Sequence, residues 1–192
     1  MQQARKLNYL AVVAAMIGVI LFAFSNASAQ KKYKITGSAM GTNQQMGRVV
    51  SVDIHVNSLS TPADREALIE AFTEDGSRGL TNALDKMSSK GRIAVTGTLG
   101  FDLNYIRVFK MPDGSRKLRF ITDRPITFGE HWAATRSMDY SLSMGEIIIP
   151  AGKGKKSGML MPIAKFKINK KKEIEIENYQ NPWRLVNIKV WD

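Results

Sequence analysis

From Val49 to Val56 the apolar residues Val50, Val52, Ile54 and Val56 share one face, and that period of two predicts a half-buried strand. Arg92 to Thr98 alternates in the same way, with Ile93 and Val95 opposed to Ala94 and Thr96. The run Ile147-Ile148-Ile149, inside Gly145 to Pro150, suits a strand covered on both faces. Trp183 to Trp191 supplies another strand, with Leu185, Val186, Ile188 and Val190. One block departs from this pattern. Thr61 can cap a helix, Pro62 loses nothing at its first position, and Asp64 faces the positive end of its dipole. Leu68, Ile69 and Phe72 then form an apolar stripe that Gly76 ends. Ser77 can cap a second helix, with Leu80, Ala83, Leu84 and Met87 at helical spacing before Gly91. The expected product is an antiparallel helical pair covering one side of a sheet.

Two hairpins can be read to register. Pro112-Asp113-Gly114 is a turn in which Gly supplies the left-handed position, between strands at 103–111 and 115–122. Pairing 111 with 115 sets Val108 against Leu118 and Ile106 against Phe120, an apolar face. The other face then opposes Arg107 to Arg119, with Tyr105, Phe109 and Lys117 beside them. Farther on, Ala164, Phe166 and Ile168 alternate with Lys165 and Lys167, while Ile174 and Ile176 alternate with Glu173, Glu175 and Glu177. Burying both apolar sets puts lysines opposite glutamates, pairs worth about 0.2–1 kcal/mol each. Strands dominate and the helices come as one block. The expected fold class is therefore α+β: a mostly antiparallel, curled β-sheet, as a sandwich or partly open barrel, with one inserted helical pair.

The N-terminus changes the domain picture. Arg5 and Lys6 precede fifteen uncharged residues, Leu10 to Phe24, and Ala27-Ser28-Ala29 closes the segment. That is the pattern of an export signal cut after Ala29. As a helix the apolar run would reach roughly 22 Å, short of a ~30 Å hydrocarbon core. Residues 1–29 are therefore expected to be a signal peptide, and residues 30–192 a single periplasmic or secreted domain with no membrane span. The chain has 28 Lys+Arg and 17 Asp+Glu; without Arg5 and Lys6 the mature part keeps 26 against 17, net +9. Gly152-Lys153-Gly154-Lys155-Lys156-Ser157-Gly158 reads as a mobile basic loop. With no Cys and only His55 and His131, neither a disulfide nor a Cys or multi-His zinc site can be built, and no metal or cofactor is expected.

No catalytic motif stands out. Glu130, Asp123 and Asp139 lie near His131, but no G-x-S-x-G elbow is present and no serine is marked as activated. Asp102, Asp123, Glu130, Asp139 and Glu146 fall near strand ends, and spacing alone brings no two to glycosidase distance. There is no P-loop, no G-x-G-x-x-G after a strand and no calcium loop. Export speaks against nucleic acid as a partner. The basic excess of an exported domain serves either plain solubility, the more common case, or attraction to anionic envelope surfaces, acidic polysaccharide or a small anion.

The connection Ile121 to Trp132 concentrates polar, charged and aromatic residues, and makes Asp123, Glu130, His131, Trp132 and Asp139 the candidate site region. Its structural alternative has Asp123 and Arg124 satisfying the turn while Phe128 and Trp132 plug the core. Through this segment, Gly91-Arg92-Ile93 and Arg136-Ser137-Met138-Asp139-Tyr140, the chain resembles a group of exported bacterial proteins of no assigned activity. The resemblance implies export and transfers no site residues.

The leading expectation is a non-catalytic envelope protein acting by binding. The alternatives are a hydrolase with its site around residues 123–139 and a carrier enclosing an apolar ligand. The opposed pair Arg107 and Arg119 sharpens the binding reading. It needs solvent, an internal acid such as Asp102 or Asp123, or an external anion between its guanidinium groups. Arg107, Lys117, Arg119 and Arg124 are the anion-binding candidates.

Overall fold

A computed structural model of the chain describes residues 32–126 and 141–191. Ten strands make one antiparallel sheet: β1 Tyr33–Gly41, β2 Val49–Val56, β3 Gly91–Val95, β4 Phe101–Leu103, β5 Tyr105–Lys110, β6 Arg116–Ile121, β7 Leu142–Ile149, β8 Ser157–Ile168, β9 Ile174–Gln180 and β10 Trp183–Trp191. Their order is β4-β3-β2-β1-β10-β8-β7-β6-β5, with β9 beside β8. The strands at the two ends of that order, β4 and β5, are separated in the chain by Asn104 alone. The sheet therefore curls until its edges meet, and forms a nearly closed barrel.

The helical block is one continuous run interrupted by a kink. Helix α1, Pro62–Lys86, opens with a capping box: Asp64 N–H donates to Thr61 Oγ1 at 3.1 Å, and Thr61 N–H donates to Asp64 Oδ2 at 2.8 Å. Its helical torsions break at Asp75 and at Gly76, which takes φ +53°. A Cβ on Gly79 would lie 2.0 Å from the Ala71 carbonyl oxygen. In a straight helix residues eight apart are separated by about 12 Å along the axis, so the bend is sharp. The sequence marks that bend at Gly76, and just past it the Ser77 carbonyl accepts from Thr81 Oγ1 at 2.9 Å.

Two apolar layers result. Inside the barrel Ile54, Ile93, Ile106, Phe120, Ile147 and Trp183 are packed together and essentially without solvent contact. Gly145 makes room there, because a Cβ on it would sit 2.0 Å from Phe120 Cζ. A void of about 10 Å³ lies against Ile35, Val52, Ile147, Leu185 and Ile188. That is roughly one water-sized sphere. Outside, Leu68, Leu80 and Leu84 of α1 cover Tyr105, Ile121, Met144 and Phe166, and each leucine so buried contributes about 1.5–3 kcal/mol. Asn104 ties the layers: its Nδ2 donates to the carbonyls of Leu84 at 3.1 Å and Met87 at 3.3 Å, closing the end of α1.

The β5–β6 hairpin has the expected register, including Val108 with Leu118 and Ile106 with Phe120. Gly114 takes φ +77°, and Met111 N–H bonds the Ser115 carbonyl at 2.9 Å. Ile148 corrects another expectation: it is 39 % exposed, so β7 is covered on both faces only above it. Among the described residues no helix is long and apolar enough to cross a membrane. Residues 1–29, with the expected cut after Ala29, lie outside the described residues.

Candidate functional site

Curling the sheet turns the odd-numbered positions of β5 and β6 outward. Arg107 stands directly opposite Arg119, and Phe109 opposite Lys117. Strand β7 then brings Glu146 beside Arg119. The Arg119 guanidinium holds Glu146 Oε1 through Nε at 2.7 Å and Nη2 at 2.6 Å, while its Nη1 donates to the Ile174 carbonyl at 2.6 Å. Only 8 % of that side chain is exposed. Lys117 Nζ lies 3.6 Å from the same carboxylate oxygen.

Arg107 is compensated from elsewhere. Its Nη1 donates to Glu173 Oε2 at 2.6 Å, and Arg65 Nη1 of α1 reaches Glu173 Oε1 at 3.2 Å. Two guanidinium groups thus share one carboxylate. Burial acts to lower the Arg107 pKa, but Glu173 and Tyr105 outweigh it and leave the group above its usual range. Tyr105 is buried, and its hydroxyl feels Arg107 without forming a hydrogen bond of good geometry. Burial raises its pKa, with Glu173 adding and the arginines opposing. Arg107, Lys117 and Arg119 surround the Phe109 ring, with cationic centres 5.0, 5.6 and 5.0 Å from its centroid. Such contacts contribute about 0.5–1 kcal/mol each when partly exposed.

Neither Asp102 nor Asp123 pairs with the opposed arginines, which are compensated separately, Arg119 by Glu146 and Arg107 by Glu173. Arg124 is 61 % exposed and paired bidentately with Asp123, Nε to Oδ1 at 3.0 Å and Nη2 to Oδ2 at 2.8 Å. That pair holds the Arg124 pKa up, and its partners are not those of Arg107, Lys117 or Arg119. The side chains of Asp123 and Arg124 bind each other, while the turn's backbone is met by Thr122 Oγ1, which donates to the Arg124 carbonyl at 2.5 Å. Glu130, His131, Trp132 and Asp139 lie outside the described residues.

The reading of the sequence missed Arg65 and Glu173 as members of the cluster. Arg65 precedes Leu68, Ile69 and Phe72 by three, four and seven residues, so a cation sits on the apolar stripe of α1. That misplaced charge is the signal. Among the described residues no three His, Cys, Asp or Glu side chains gather to hold a metal ion. No protein-family model matches the chain, and neither a curated protein nor a solved structure matches it.

Proposed function

We propose that the chain is an exported, non-catalytic domain that works by binding anionic partners on its basic outer surface. The observation that carries this reading is the face around Phe109. Three cations crowd one ring there, and two of them, Lys117 and Arg119, share the carboxylate of Glu146. Arg119 is buried and already bonded through all three nitrogens, so Lys117 is the cation with spare capacity for a sulfate, phosphate or carboxylate group. The buried side chains that fill the barrel among the described residues, Ile54, Ile93, Ile106, Phe120, Ile147 and Trp183, support action from the outside. Export rests on Arg5, Lys6, the apolar run Leu10 to Phe24 and the small residues Ala27 and Ala29.

The test is thermal shift against sulfate, phosphate and acidic oligosaccharides at constant ionic strength. It is made on exported protein, whose intact mass on this reading begins at Gln30. At least one anion should raise the melting temperature above that in chloride, and Lys117→Gln should lose part of the rise. Equal melting in every anion sinks the reading.

A further inference from the structure

The β5–β6 hairpin carries a second like-charge pair, and the fold treats it differently. Lys110 stands directly opposite Arg116. Both are exposed, and neither has an ion pair among the described residues. The tip between them, 111–115, holds one acid, Asp113. Its Oδ1 is occupied by Ser115, through N–H at 2.9 Å and Oγ at 2.6 Å. Arg116 is also paired with Ile149, next to which the β7–β8 loop, 150–156, begins. That loop adds Lys153, Lys155 and Lys156, likewise without ion pairs among the described residues. A Cβ on Gly114 would lie 3.3 Å from Ala151 Cβ, so the two tips touch. Five cations and one engaged acid gather at this end, and opposed like charges cost stability until an anion compensates them.

We propose that these two adjoining hairpin tips are a docking surface for an anionic lipid bilayer, with Lys110, Arg116, Lys153, Lys155 and Lys156 against its headgroups. The inference rests on the reading that the protein binds anions, and adds a second place, apart from the Phe109 face, and a partner. Two adjoining tips with five cations make a broad charged patch, which suits a flat anionic surface better than a single polymer strand. Neither tip has an aromatic ring on which a sugar could stack, and the exposed apolar residues there are the small Pro112 and Ala151. Contact is therefore at headgroup depth, held by charge, and reversed by salt.

Co-sedimentation of the exported protein with vesicles of phosphatidylglycerol and phosphatidylcholine tests this. Phosphatidylcholine alone gives the baseline. Each basic residue near an anionic bilayer multiplies binding about fivefold, so Lys153→Ser/Lys155→Ser/Lys156→Ser should weaken it by about a hundredfold. The matched variant Lys170→Ser/Lys171→Ser/Lys172→Ser removes the same charge from the exposed β8–β9 turn, at the far end of the 12-residue β8. It should keep most of the binding. Equal losses in the two variants would mean diffuse attraction and overturn the docking surface. Binding to dextran sulfate through the tip lysines without vesicle binding would assign the surface to acidic polysaccharide, and also overturns it. If vesicles fail to bind while anions still raise the melting temperature, this inference alone falls. If neither acts, the proposed function falls with it.

Discussion

Arg107 and Arg119 face each other across β5 and β6, yet each is neutralised from a different direction, Arg107 by Glu173 and Arg119 by Glu146. Glu146 is a neighbour on the same sheet. Glu173 comes from the turn before β9, so its pairing fastens β9 over the outer face and draws α1 in through Arg65. A repulsion local to one hairpin is thereby converted into a long-range clamp among three elements.

Removing that clamp should be costly. In Glu173→Gln two guanidinium groups would share a neutral amide, with the Arg107 and Glu173 side chains only 26 % and 18 % exposed. We expect a loss of about 1–3 kcal/mol in urea unfolding, reduced from the fully buried case by partial solvation. Glu177→Gln removes only the pair with Lys165 at 3.0 Å, whose side chains are 45 % and 36 % exposed. It should cost under about 1 kcal/mol. Similar losses for the two variants would show that the Glu173 cluster is no more than a solvated face.

Strands that alternate cleanly were legible, and β2 and β10 have the bounds their pattern indicates. The β5–β6 register followed from a turn whose Gly must sit at the left-handed position. Strand β1 was not read, because Gly37, Ser38 and Gly41 interrupt its apolar alternation and leave Ile35 and Ala39 as its buried residues. Three-residue β4 is too short to show a period at all. The lysine–glutamate ladder of β8 and β9 was half legible. Lys167 faces Glu175, but a bulge between Lys165 and Phe166 moves Lys165 opposite Asn178 and sends it diagonally to Glu177. At the site, spacing gave the cations of one hairpin and could not give Glu173 or Arg65, since their meeting depends on how distant elements pack.

The filled barrel has its own test. A methyl on Gly145 would meet Phe120 Cζ at 2.0 Å, so Gly145→Ala must push the ring out of place. Overpacking of this kind costs about 1–3 kcal/mol. Phe120→Leu in the same chain should recover part of it, because the two sites are in contact and their effects do not add. A neutral Gly145→Ala, measured by thermal and urea unfolding, would mean that the ring does not lie against β7 and that the interior has room to spare.

The start of α1 should be visible in the acid limb of the stability curve. Burial acts to raise the Asp64 pKa, but the hydrogen bonds from Thr61 and the charge of Lys90, 3.4 Å away, outweigh it and hold the carboxyl below its ordinary value. A carboxyl depressed in the folded state adds stability above its unfolded pKa, and that contribution is lost as pH falls through the folded pKa. At neutral pH Asp64→Asn should therefore be less stable than wild type by about 0.5–1 kcal/mol, the range of a cap and dipole interaction. The gap should close as pH drops below about 4, where wild type protonates and the variant has nothing left to lose. Urea midpoints of both proteins along one pH series measure it directly, since every other titrating group is common to the two. A gap that stays constant down the acid limb would show that Asp64 caps the helix by shape alone, with its charge and Lys90 playing no part.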